Sequence, residues 1–370
     1  MQHNADIHKR KINARLWGGT EMDDILARPM MLKQVNLSSI RKVIRSNKVV
    51  TRAEIAWETK ISSTTVRSLL NEMSKSGEIE GVGFAESSGG RKAEKYRFNL
   101  DRYFSIAFCI MGNIVHYIIV NIIEEIVETG ELGEFCNKTM EPIVSFLDKK
   151  TKEKTIKSIG IGVPGIVDGG TYWCGSSGDT LEQIDIGTFL TNKYEIPVVL
   201  ENDLNAIATG FCRRYENNNS GSDSENNTSN SNMAFMYFGG AGISAGFIVG
   251  GKVVRGFNNF AGELSMATLG RYGEKFELNP GKMSDAEFTE YVIKVTCWIC
   301  AVLNPQYITL AGDVFREKCL PAINDGIKEA LPMKMQAELL FSSDDKQDYF
   351  EGLAYLAAGR IFDEVQLLKG

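Results

Sequence analysis

An N-terminal winged helix-turn-helix followed by a larger α/β body is the fold class this 370-residue chain predicts. Three observations carry the prediction. Thr51–Phe98 orders a short helix, a tight turn, a second helix and a Gly-rich basic hairpin. After residue 101, apolar strands alternate with helical segments, the pattern of an α/β domain. Charge divides at the same place. Residues 31–100 hold 13 Lys and Arg against 7 Asp and Glu, whereas residues 101–370 carry a net charge of −13. The expected organisation is a flexible tail over 1–30, the basic module over 31–100 and the α/β body over 101–370.

Within the basic module, Ile40, Val43 and Ile44 fit a first helix that packs beneath the next two. Thr51 and Glu54 form a capping-box pair opening the second helix. Lys60 and Ile61 fill a turn, and Ser62 or Ser63 can cap the third helix. There Val66, Leu69, Leu70 and Met73 recur at helical spacing as one buried stripe. The opposite face carries Ser63, Thr64, Arg67, Ser68, Asn71 and Lys75, types suited to phosphate and base-edge contacts in a major groove. Gly77 suits a left-handed helix end. Arg91 and Lys92 lie at the hairpin tip after Ser88-Gly89-Gly90, where an arginine can enter a narrow minor groove. On the two helices alone, a helical pair whose polar face merely meets water remains open. The charge split favours a module that binds a polyanion, on a body that does not.

No run of about 18 apolar residues occurs, so no membrane partner is expected, and no signal peptide is read at the N-terminus. Seven scattered cysteines (109, 136, 174, 212, 297, 300, 319) fit a reducing cytoplasm. Cys297 and Cys300 match C-x-x-C within an apolar run and read as core residues. The histidines are His3, His8 and His116, which is little material for a metal site, and none is expected.

In the body, Tyr103–Phe108, Val115–Ile119 and Ser158–Gly162 read as strands. Val198–Leu200 leads into Glu201-Asn202-Asp203-Leu204-Asn205-Ala206, a strand edge becoming a helix. Met233–Phe238 runs into a Gly-rich stretch, and Phe247–Val249 pairs across Gly250-Gly251 with Val253–Val254. The Asn/Ser/acid run 216–232 cannot bury a core and reads as a disordered insertion.

The ordered set Ser88–Arg91, Val163–Asp168, Glu201–Ala206, Ala261–Leu264 and Leu303–Gly312 resembles the repressor branch of the ROK family (repressors, open reading frames and sugar kinases). The similarity runs from about Leu32 to Phe362. It implies an actin-like, sugar-kinase body of two lobes with a ligand cleft between them. It also implies a cytoplasmic bacterial protein, a homodimer or homotetramer, presenting paired winged helices to a palindromic double-stranded DNA operator.

The resemblance also assigns residues. Asn202, Asp203 and Glu263 match family positions that hydrogen-bond sugar hydroxyls, and Asp203 matches the kinases' catalytic base. Helix capping is the alternative role for Asn202 and Asp203, and a solvated loop acid for Glu263. The phosphate side departs from the family. Cys109-Ile110-Met111-Gly112-Asn113 stands where the family has Asp-x-Gly-Gly-Thr. Gly240-Ala241-Gly242-Ile243-Ser244-Ala245-Gly246 stands for Gly-Thr-Gly-x-Gly-x-Gly, with Ala241 and Ser244 the replacements. Met266 occupies the position of a zinc-ligating His, and Gly270–Glu274 lacks the cysteines of the zinc loop. The expectation is therefore no catalysis, no metal and no cofactor. The chain reads as a DNA-binding regulator of carbohydrate metabolism, a repressor responding to a sugar or sugar-derived ligand. Two alternatives stay open: an active ATP-dependent sugar kinase with an appended DNA module, and a DNA-bound scaffold controlled by a protein partner.

Overall fold

The computed structural model describes residues 21–85, 92–135, 140–175, 181–219, 231–240, 242–266 and 279–362. It divides into two compact units, Met1–Asn99 and Leu100–Gly370.

Among the described residues, the first unit has three helices and a small sheet. Helix α1 (Glu21–Asn47) supplies Leu37, Ile40, Val43 and Ile44 to its core. It begins ten residues before the expected boundary, so residues 21–30 are helical and not part of a tail. Strand β1 (Val50–Thr51) leads directly into α2 (Arg52–Thr59). The capping box forms: Glu54 N donates to Thr51 Oγ1 at 3.3 Å, and Thr51 N to Glu54 Oε2 at 2.6 Å. Lys60 turns the chain at φ 60°. Ser62, the first of the two serine candidates, caps α3 (Ser63–Ser76) by accepting from Thr65 N at 3.2 Å. Val66, Leu69, Leu70 and Met73 are buried, and Gly77 ends the helix left-handed at φ 76°. The hairpin β2 (Ile79–Phe84) and β3 (Glu94–Phe98) completes an antiparallel sheet of order β1-β3-β2. A buried carboxylate, Glu78, takes two hydrogen bonds from Arg41 on α1, at 2.8 and 3.0 Å. A forked pair of this kind fixes orientation as well as charge.

The second unit repeats one topology twice. In the first lobe, β4 (Phe104–Met111), β5 (Ile114–Asn121) and β6 (Ile126–Glu134) form an antiparallel meander. Helix α4 (Glu141–Glu153) crosses to β7 (Ile156–Val163), which is parallel to β4. A small sheet follows, of β8 (Ile166–Asp168), β9 (Thr171–Gly175) and β10 (Leu181–Ile184). Helix α5 (Ile186–Tyr194) returns the chain to β11 (Val198–Asn202), and α6 (Asp203–Asn219) leaves it. In the second lobe, β12 (Met233–Gly239), β13 (Gly242–Val249) and β14 (Lys252–Val253) form the meander. Then come α7 (Asp285–Leu303), β15 (Tyr307–Ala311), α8 (Leu320–Ala330), β16 (Glu338–Phe341) and α9 (Asp345–Ala358). The sheet orders correspond strand for strand: β6-β5-β4-β7-β11 and β14-β13-β12-β15-β16.

Each sheet buries a continuous apolar face. The first gathers Ile106, Phe108, Ile159 and Leu147, and the second Phe238, Phe288, Ile308 and Ile323. Cys300 lies within the second core and Cys297 packs against it, which agrees with core packing for the C-x-x-C pair. The final helices α6 and α9 cross at two glycines. A Cβ on Gly210 would lie 1.9 Å from Asp348 O, and one on Gly352 would lie 1.8 Å from Ala206 O. Arg214 on α6 also bonds the buried Asp348 of α9 at 2.7 Å.

Residues Glu216–Asn219 finish α6, and Glu216 accepts hydrogen bonds from Tyr307 and Ser231. Asn232 is held by Gln306. These ends are therefore bonded parts of the second lobe, a correction to the 216–232 boundary. The central residues 220–230 lie outside the described residues.

Candidate functional site

The two lobes enclose a cleft of about 570 Å³. Its first wall comes from the ends of β4, β7 and β11, where Met111, Gly165, Asn202 and Asp203 reach the lining. Its second wall includes Tyr237, Ser244 and Glu263, with Asp345 at the start of α9. Asn202, Asp203 and Glu263, assigned from the sequence, thus share one cavity.

Local hydrogen bonds set each of these side chains. Asn202 Oδ1 accepts from Asn205 N at 3.1 Å, and its Nδ2 donates to Gly165 O at 2.9 Å. Asn202 is therefore a helix cap as well as a cleft residue. Asp203 Oδ1 accepts from Leu204 N at 2.8 Å. Beneath them the buried Glu201 accepts from Asn205 Nδ2 at 3.0 Å and pairs with Arg255. Burial pushes the Asp203 carboxyl up to about 7, helped by the charge of Glu263 and opposed by backbone donors. Burial also raises Glu263. Glu263 hangs from a loop that only glycine allows. Gly262 has φ +104°, and a Cβ there would lie 1.9 Å from Ala245 O.

The positions that depart from the kinase pattern fall in different places. Met111 and Ser244 line the cleft. Gly112 and Asn113 form the two-residue turn from β4 to β5, with Gly112 at φ +62°. Cys109 is fully buried inside β4, opposite Gly162, and burial pushes its thiol well up. Ala241 and Gly270–Glu274 lie outside the described residues.

Asp345, Tyr237 and Tyr349 also line the cavity and were not anticipated. The signal for Asp345 was available only through the internal duplication. Asp345 opens the helix after the fifth strand of lobe two, as Asp203 does in lobe one. Burial raises the Asp345 carboxyl, and Asp313 adds to the effect. Tyr237 is pushed up to about 12 by burial, with Asp313 and Asp345 adding to it.

In the first unit, Ser63, Thr64, Arg67, Ser68 and Asn71 are all exposed along one side of α3. Lys92 is exposed just before β3. Arg91 lies outside the described residues.

The α/β body has the fold of ROK sugar kinases and regulators. A solved ROK family transcriptional regulator, a homologue of the E. coli MLC protein, superposes with TM-score 0.64 at 15% identity, covering 88% of this chain and 99% of that one. A Streptomyces griseus ROK glucokinase, solved with glucose and AMPPNP, gives TM-score 0.51 at 16% identity, covering 69% and 99%. Residues 112–275 match the family model described as ROK family. Among curated proteins, a Caldicellulosiruptor bescii protein named xylose repressor is 27% identical over 255 residues, 65% of this chain and 60% of that one. The Bacillus subtilis xylose repressor is 24% identical over 258 residues, 68% and 64%. The chain thus spans about three-fifths of the length of these relatives.

Proposed function

We propose that this chain is a DNA-binding transcriptional repressor of carbohydrate genes whose ROK domain senses a sugar without catalysing its phosphorylation. One observation carries the DNA-binding part. Helix α3 buries Val66, Leu69, Leu70 and Met73 while exposing Ser63, Thr64, Arg67, Ser68 and Asn71 on a basic module. With α2 before it and the β2–β3 hairpin after it, α3 has the position of a recognition helix in a winged helix-turn-helix. Its polar face then meets base edges and phosphates, and Lys92 and Arg91 approach the backbone or minor groove.

The sensing part rests on Asn202, Asp203 and Glu263 meeting in one cleft, with hydroxyl-bonding chemistry on both walls. Ligand binding there favours one arrangement of the lobes over another, and the operator affinity of a dimer or tetramer shifts with that equilibrium. Relatives bearing the name xylose repressor make pentoses the first ligands to try.

The test is fluorescence anisotropy with DNA from the regions upstream of its own and neighbouring genes. Binding to one palindromic fragment should fall steeply with salt and weaken when the cognate sugar is added. Affinity no better than for random DNA would remove the proposal.

A kinase is the second reading, favoured by one specific feature: a carboxyl at about 7 suits a general base. Met111 in the cleft and Ala241 in place of the family Thr argue for a binder instead. Robust, sugar-dependent ATP consumption that is lost in Asp203→Asn would establish the kinase.

A further inference from the structure

The α/β body is acidic overall, yet one rim of its first lobe collects positive charge. Residues 149–157, from the end of α4 to the second residue of β7, hold five lysines against the single carboxylate of Glu153. Arg102 joins them at this rim, because Phe104 N at the start of β4 donates to Thr155 O at 3.1 Å. Two of the lysines are already committed: the buried Lys150 bonds Glu128 at 2.8 Å, and Lys149 pairs with Glu153. Lys152, Lys154 and Lys157 make no ion pair among the described residues. Elsewhere on the body Arg213, Arg214, Arg255 and Arg316 each meet a carboxylate.

Aromatic rings hold the charges in place instead. Lys154 Nζ lies 4.2 Å from the centre of the Phe104 ring. Lys157 Nζ and the Arg102 guanidinium lie over the Tyr103 ring at 5.1 and 5.2 Å. A helix end attracts cations, which accounts for Lys152 in the last turn of α4. It does not account for Lys157 on β7 or Arg102 ahead of β4. Against all these cations stand Asp101, Glu128 and Glu153, which leaves a positive excess.

We propose that this rim is a second phosphate-binding surface, which holds duplex DNA outside the base pairs met by α3. The inference rests on the DNA-binding reading of the first unit. Arg102 follows Phe98, the last residue of β3, by four residues, and four extended residues span at most about 14 Å. The link is too short to carry these charges far from a duplex that the module holds. Lysine ammonium groups suit phosphate as point charges and need no base-reading geometry. On a body of net charge −13, a local positive rim also offsets the repulsion that a polyanion meets.

The full chain is titrated by fluorescence anisotropy onto a mixed-sequence duplex of about 40 base pairs, roughly four helical turns, across a salt series. In Lys154→Gln with Lys157→Gln, the slope of log affinity against log salt should become shallower by about two, with affinity several-fold lower at low salt. Lys154→Arg with Lys157→Arg should keep both near the wild type. Lys152→Gln, outside both ring contacts, should make the slope shallower by about one, and it carries the test if a melting curve shows the double variant unfolded. Wild-type slope and affinity in the folded glutamine variants overturn the inference and leave DNA binding by α3 standing. Arginine variants that bind as weakly as the glutamine ones also overturn it, because packing and not charge is then responsible. Lost binding to vesicles of phosphatidylcholine and phosphatidylserine, with the DNA slope unchanged, makes the rim a membrane surface and overturns it too. If the wild type binds no duplex, the DNA-binding reading itself falls, and this inference with it.

Discussion

Gly262 and Asp203 illustrate how single positions set the cleft. At Gly262 a side chain would meet Ala245 O at 1.9 Å with φ already at +104°. Gly262→Ala must therefore displace the loop carrying Glu263. We expect a cost of about 1–3 kcal/mol in denaturant unfolding and a weakened ligand-induced melting shift. For Asp203 the folded carboxyl is raised from 3.8 to about 7, so the unfolded chain gives up this proton at lower pH than the folded one. Its contribution to stability is full below about pH 4 and is lost as pH rises through about 7. The groups facing it are Glu263, itself raised, Asn202 and Tyr349. Melting curves between pH 4 and 8 should lose less stability with rising pH in Asp203→Asn than in the wild type; parallel profiles would refute the assignment. At this scale Asn202, Asp203 and Glu263, named through the family resemblance of their short motifs, do line one cavity. Asp345 was not named, because nothing in Ser343-Asp344-Asp345 marks it until the second lobe is laid over the first.

Among elements, α3 and the α6–α9 crossing make contrasting demands. Helix α3 was readable in full. Its cap, apolar stripe and terminal glycine lie within sixteen residues, from Ser62 to Gly77, and each acts through near neighbours. Arg67→Ala should weaken binding to the cognate fragment by about 1–3 kcal/mol if Arg67 reads a base. A matched loss on random DNA would instead mark a phosphate contact. The α6–α9 crossing depends on Gly210 and Gly352, which are 142 positions apart and look in sequence like ordinary helix-weakening residues. Their use appears only when the two backbones meet. Gly352→Ala should destabilise the second unit by about 1–3 kcal/mol, measured by urea titration, despite the higher helix propensity of alanine. The first helix and the 216–232 segment show where local composition misled. Residues 21–30 are helical, and Glu216 and Asn232 are held by Tyr307 and Gln306, partners about 90 and 74 positions away.

On the scale of the whole molecule, the proposed sugar sensing and operator binding would be linked thermodynamically. If a sugar lowers operator affinity by some factor, the operator must lower sugar affinity by the same factor. Titrating each ligand with and without the other should give equal factors; unequal equilibrium factors would place the two events on different molecular species. By itself the sequence determined the order of a basic module and an acidic α/β body and the exposed polar face of α3. Those features are written in local spacing and charge, which act over a few residues. Only the tertiary structure decided that Asp203 and Asp345 face one cleft, that Met111 and Ser244 line it while Cys109 is buried in the sheet, and that glycines let α6 and α9 touch. Those facts depend on parallel crossovers and close backbone approach between distant segments, which no local pattern encodes.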